Sequence, residues 1–103
     1  MMHAKLVRDK IPEIIKSDNT IPIIRVASKE EYWEKLKEKL KEEVEEFLKD
    51  ESEEELVDIL EVIYALCDFK GIERECLERM REKKAEERGS FKGRIILEGI
   101  KKK

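Results

Sequence analysis

The chain has no glutamine, one asparagine (Asn19), one histidine (His3), one tryptophan (Trp33) and two cysteines, Cys67 and Cys76. Each scarcity excludes something. Two thiols nine residues apart form neither a redox pair nor a zinc-ligand spacing, and a single histidine cannot complete such a site. The thiols therefore read as buried or idle. No apolar run approaches about 18 residues, so no membrane-spanning helix is expected. The opening stretch from Met1 to Lys10 lacks the apolar centre of a signal peptide, which points to a soluble cytoplasmic protein. The near-absence of side-chain amides, beside many Lys, Arg and Glu, is a thermophile-like pattern.

What is abundant is charge. Charged residues make up 48% of the 103, yet the net charge is only −3. Near-cancellation argues against a nucleic-acid-binding tail or a one-signed disordered chain. The length fits a single domain, residues 1–103. At that size only about two-thirds of the unfolded surface is buried, so assembly with a further copy would help. Along the chain the charge is segregated. Residues 1–29 carry 6 basic and 3 acidic side chains, residues 30–61 carry 5 and 15, and residues 62–103 carry 12 and 8. An acidic middle lies between two basic ends. Charge-rich helices often solvate one face, which is the plain reading. The sharper one is a cation held by the middle, with an anion between that cation and the basic ends.

The pattern predicts a short helix over about 11–17, with Pro12 suited to its first turn. Ile23-Ile24-Arg25-Val26 reads as a short strand following Pro22. Ser28 with Glu31 forms a capping box, and apolar residues at helical spacing carry a long helix to about Lys49. Asp50-Glu51-Ser52 breaks it. A second helix runs to about Phe69, stopped by Gly71, and a third spans about 73–87, ended by Gly89. Residues 94–97, Arg-Ile-Ile-Leu, read as a second short strand. The expected fold is mainly all-α: a central antiparallel helix hairpin, a third long helix, and a small β accessory pairing 23–26 with 94–97.

At about 100° per residue, Glu43 falls inside the apolar stripe of the first long helix and Glu46 at its edge, while Glu45 points away. On the next helix the apolar residues cover most of the circumference. Glu55 falls between Val62 and Leu66, and Asp58 beside Phe69. So broad an apolar surface exceeds what one hairpin partner covers, which predicts a dimer or higher oligomer. Glu43 with Glu46, and Glu55 with Asp58, are i, i+3 pairs on one helix face. With a rise of about 1.5 Å per residue, both pairs lie roughly 5–7 Å from the turn, so four carboxylates converge. Such acids pair, protonate or bind metal. Magnesium, a hard octahedral ion that takes oxygen ligands, matches them. Plainer uses exist: Glu55 closing a capping box with Ser52, and Glu46 pairing with Lys49 or Lys39. Trp33 sits on the apolar stripe, where core packing competes with a role as a platform for a nucleotide base.

Glu42-Glu43-Val44-Glu45-Glu46 resembles the E-E-x-x-E signature of the MazG-like, all-α nucleoside triphosphate pyrophosphatases. Glu55-Leu56-Val57-Asp58-Ile59-Leu60 resembles their following E-x-x-D. The opening from Lys5 to Pro12, and the ending Glu87-Arg88-Gly89-Ser90-Phe91 with Arg94-Ile95-Ile96-Leu97, are similar to a small house-cleaning, phosphoribosyl-ATP pyrophosphohydrolase-like subgroup. Eight residues separate Glu46 from Glu55, fewer than is usual in that family. The resemblance implies hydrolysis of a nucleotide between its α- and β-phosphates to a monophosphate and pyrophosphate. Mg2+ would be held by Glu43, Glu46, Glu55 and Asp58. Glu42 or Glu46 would orient the attacking water or take its proton. Cations would meet the phosphate charge: Arg8, Lys10, Lys83, Lys84, Arg88 and Arg94, with Arg8 and Arg88 foremost. Phe91 is a candidate wall of the base pocket. The competing class is a non-catalytic helical dimerisation or binding module. Nucleic acid and membrane are not expected as partners.

Overall fold

The computed structural model describes residues 4–17 and 19–103, so His3 lies outside the described residues. Among them the regular structure is helical throughout: α1 (Ile11–Ser17), α2 (Lys29–Asp50), α3 (Glu53–Lys70) and α4 (Arg74–Arg88). No helix among them is long and apolar enough to cross a membrane. The chain forms two compact units, Met1–Gly71 and Ile72–Lys103.

In the first unit, α2 starts where the Ser28 hydroxyl accepts a hydrogen bond from the backbone N–H of Glu31 (3.2 Å). The Glu31 carboxylate does not fold back to complete the box. It takes a bidentate pair from Arg25 (2.5 and 2.6 Å), which holds it below the usual carboxylate range. At the other end Glu51 adopts a left-handed conformation (φ 53°), and its N–H donates to the Phe47 carbonyl at 2.7 Å. That single residue reverses the chain, and Ser52 begins the next helix. Gly71 (φ 73°) closes α3 in the same conformation, where a glycine avoids the cost of a Cβ.

α2 and α3 pack along each other as an antiparallel hairpin. Far from the turn, Trp33 of α2 stacks on Phe69 of α3, with ring centroids 4.9 Å apart, and Tyr32 meets the same ring at 6.0 Å. Trp33 is thus a packing residue of the hairpin. The core is small. Leu36, Val62 and Cys67 are the buried apolar residues among those described. Toward the Glu51–Ser52 turn, Leu56, Val57 and Leu60 of α3 are exposed, as are Val44 and Leu48 of α2.

The second unit consists of α4 and the chain that follows it. Along α4, Arg81 pairs with Glu78 and Arg79 donates to the Cys76 sulfur (3.2 Å). Both cysteines are free, Cys67 buried and Cys76 partly so. The β accessory is a correction. Residues 23–26 and 94–97 carry no strand. Arg94 turns into the left-handed region (φ 53°), and its N–H donates to the Phe91 carbonyl (3.2 Å). A β-branched run favours extended backbone, but a strand exists only through ladder hydrogen bonds, which neither segment makes. Their side chains stand in solvent, Ile23 entirely so.

Candidate metal centre

The two i, i+3 pairs meet beside the Glu51–Ser52 turn. Glu43, Glu55 and Asp58 each place a carboxylate oxygen within 4.8 Å of the others. A second trio, Glu46, Asp50 and Glu55, does the same. Glu55 belongs to both. Asp50 was not singled out from the sequence, although it stands four residues after Glu46, an i, i+4 spacing that puts it on the same face.

Burial differs among the members. Glu43 is the one buried charged residue among those described, 8% exposed. Lys39 Nζ lies 3.3 Å from it and 3.4 Å from Glu42. Lys39 therefore serves these two acids rather than Glu46. Glu55 is half-buried, and its Oε2 is shielded from solvent with no hydrogen-bond partner. Nor does it close a box with Ser52, whose side chain makes no capping bond.

Two cations of the N-terminal segment reach the same place. Arg8 Nη2 donates to Asp58 Oδ1 at 2.7 Å. Lys5 Nζ sits 3.6 Å from Glu42. Farther along α2, Lys35 donates to the Ala4 carbonyl (3.3 Å), so residues 4–8 run across both helices of the hairpin. The cluster sets six carboxylates (Glu42, Glu43, Glu46, Asp50, Glu55, Asp58) against three cations (Lys5, Arg8, Lys39). The excess is negative, and an all-oxygen donor set with one orphaned buried oxygen suits a hard divalent cation.

Desolvation pushes the Glu55 carboxyl above its usual range. A proton on Glu55 that can be shared with the Glu43 carboxylate, then the charges of Glu43, Asp58 and Glu46, push the same way. The folded chain thus holds this proton more tightly than the unfolded chain does. The stability so gained is full below the ordinary carboxylate value and is lost as pH rises through the raised one. Metal-free protein melted in EDTA from pH 4.5 upward should lose stability that Glu55→Gln retains. Equal slopes for the two proteins would show that Glu55 is not strained by its neighbours.

The remaining residues singled out from the sequence belong to other segments of the chain. Lys10 is exposed in the turn before α1. Lys83, Lys84 and Arg88 are exposed along α4, and Phe91 (98% exposed) and Arg94 follow it in the second unit. The first unit by itself brings together Arg8, Glu42, Glu43, Glu46, Glu55 and Asp58.

Comparison with known proteins gives little beyond this. No family model matches the chain, and no solved structure matches it. It is 51% identical to an uncharacterized protein of Mycolicibacterium smegmatis over 37 residues. That stretch is 36% of this chain, and it spans only 38% of the relative.

Proposed function

We propose that the chain is a Mg2+-dependent nucleotide pyrophosphohydrolase that cleaves a nucleoside triphosphate, ordinary or damaged, between its α- and β-phosphates. The observation that carries this reading is the convergence of Glu43, Glu55 and Asp58, with oxygens within 4.8 Å of one another, on a carboxylate of Glu55 that keeps one buried oxygen unpartnered. The resemblance of the two acidic motifs to the MazG-like family supports it. Glu43, Glu55 and Asp58 would hold Mg2+, with Glu46 and Asp50 as ligands on the turn side. When bound, the ion supplies Lewis acidity toward the phosphate oxygens and the attacking water. Water adds across the phosphoanhydride, leaving a monophosphate and pyrophosphate, and a nearby carboxylate takes the proton released. Glu46, a member of the second trio, suits that role better than Glu42, whose carboxylate is engaged by Lys5 and Lys39. Arg8 stands at the cluster's edge, ready to meet a phosphate, and Lys10 is a further cation of the same unit that a polyanion would attract. The test is pyrophosphate release from a panel of ordinary and damaged nucleoside triphosphates, with and without Mg2+. No release from any member sinks the proposal.

A homodimer or higher homo-oligomer accompanies this reading. Three buried apolar side chains among the described residues make a meagre core, while Leu56 (52% exposed), Val57 (62%) and Leu48 (69%) remain in solvent on the hairpin. A second copy would cover such a face. Sedimentation at micromolar concentration should show an oligomer, and a monomer at every concentration would overturn this. The same face is what favours the second functional reading, a non-catalytic helical assembly module. That module would melt at a temperature set by protein concentration and indifferent to Mg2+ or nucleotide.

A further inference from the structure

We infer that Arg8 is a resident counter-ion for the acidic cluster, which the divalent cation displaces from Asp58 and which is thereby released to bind the substrate's phosphates. The inference rests on the metal reading above and deepens it.

The geometry supplies each part. Arg8 donates to Asp58, a member of the most buried trio, at 2.7 Å. Its guanidinium carries one of the three positive charges that the described residues set against six carboxylates. The pair is partly open, with side chains 52% and 36% exposed, so it can separate without unpacking a core. Arg8 belongs to no helix, and its segment is anchored just before it by other contacts, Lys5 to Glu42 and Lys35 to the Ala4 carbonyl, and just after it by the Ile11 N–H, which donates to the Arg8 carbonyl (3.1 Å). Breaking the Arg8–Asp58 pair leaves those anchors in place, so the guanidinium stays near the cluster.

Two charges then compete for one carboxylate. A dication that takes Asp58 gains a ligand and expels a neighbouring positive charge. The freed guanidinium presents five fixed N–H donors, a match for phosphate oxygens. Metal and polyanion thereby become coupled: the ion frees the arginine, and the arginine helps to hold the phosphates that the ion attracts. Without nucleotide, Arg8 weakens metal binding. With nucleotide, it strengthens the complex. One residue with opposite effects on the two ligands is the signature.

The experiment is calorimetric titration of Mg2+ alone into wild type, Arg8→Gln and Arg8→Lys, at low ionic strength and without nucleotide. An exposed ion pair of this kind is worth up to about a fivefold change. Arg8→Gln should bind Mg2+ about two- to fivefold more tightly than wild type, and Arg8→Lys should fall between. With Mg2+ saturating, a non-hydrolysable triphosphate should bind Arg8→Gln more weakly than wild type. Weaker Mg2+ binding by Arg8→Gln would make Arg8 a support that positions Asp58, and would overturn the inference. Unchanged Mg2+ binding would overturn it too, leaving the metal reading intact. Absence of Mg2+ binding in all three proteins would remove both.

Discussion

Glu43→Gln should reduce Mg2+-dependent pyrophosphate release by roughly a thousandfold, equivalent to about 4 kcal/mol of transition-state stabilisation. Among the acids, Glu43 is the most informative to change. It is the buried one, and its place on α2 is fixed by Leu36, seven residues earlier on the same face. Glutamine keeps the shape and leaves an oxygen for Lys39, now 3.3 Å from the carboxylate. The fold should therefore survive, which circular dichroism would verify. What is lost is one negative charge where a dication needs it. Asp58→Asn should act in the same direction, and it also releases Arg8 from its 2.7 Å pair. Glu45→Gln is the control: Glu45 is exposed and directed away from the cluster, so its rate should match wild type. Wild-type rates in both Glu43→Gln and Asp58→Asn would mean that catalysis lies elsewhere.

The parts of this arrangement that were legible in the sequence are those governed by local rules. Helix ends followed from Ser28, Gly71 and Gly89, because a cap needs only its own turn. The carboxylate cluster followed from two i, i+3 spacings and a short turn, so that simple helical geometry brought the pairs level. The cations were different. Arg8 meets Asp58 across 50 positions, and Lys5 meets Glu42 from a segment without regular structure. No periodicity marks such contacts. The charge segregation announced that basic ends would answer an acidic middle, but not which base would touch which acid. Glu51 shows another limit: α2 ends on a non-glycine residue in the left-handed region (φ 53°), a position that glycine usually marks in a sequence. The strands failed for a related reason. Ile23, Ile24 and Val26, or Ile95 and Ile96, state a preference for extended backbone, and the ladder partner that turns preference into structure is a non-local fact.

Leu36→Ala should have the largest effect on stability. Leu36 is 2% exposed, the most deeply buried of the three apolar core residues among those described. Truncating a buried leucine costs about 2–5 kcal/mol, through lost burial and the cavity left behind. Against a total of about 5–15 kcal/mol for a domain, that is a large share, and the meagre core places this chain toward the lower end. Urea denaturation followed by circular dichroism should show a midpoint shift of that size. A loss under about 0.5 kcal/mol, the range typical of surface changes, would mean that Leu36 is not the packing centre. The consequence for the site is as direct. The cluster gathers like charges beside the turn and would work against folding unless a cation bound, while the apolar contacts around Leu36, Val62 and Cys67 hold the two helices together. Weakening those contacts should expose the electrostatic strain. Mg2+ should then stabilise Leu36→Ala against EDTA at least as much as it does wild type, because ligand binding adds to whichever folded state remains. Adding Glu55→Gln to Leu36→Ala should recover part of the lost stability in EDTA above pH 4.5, and should forfeit the gain from Mg2+. If the double variant instead keeps the full Mg2+ effect, the cation binds without Glu55, and Glu55 must be struck from its ligands.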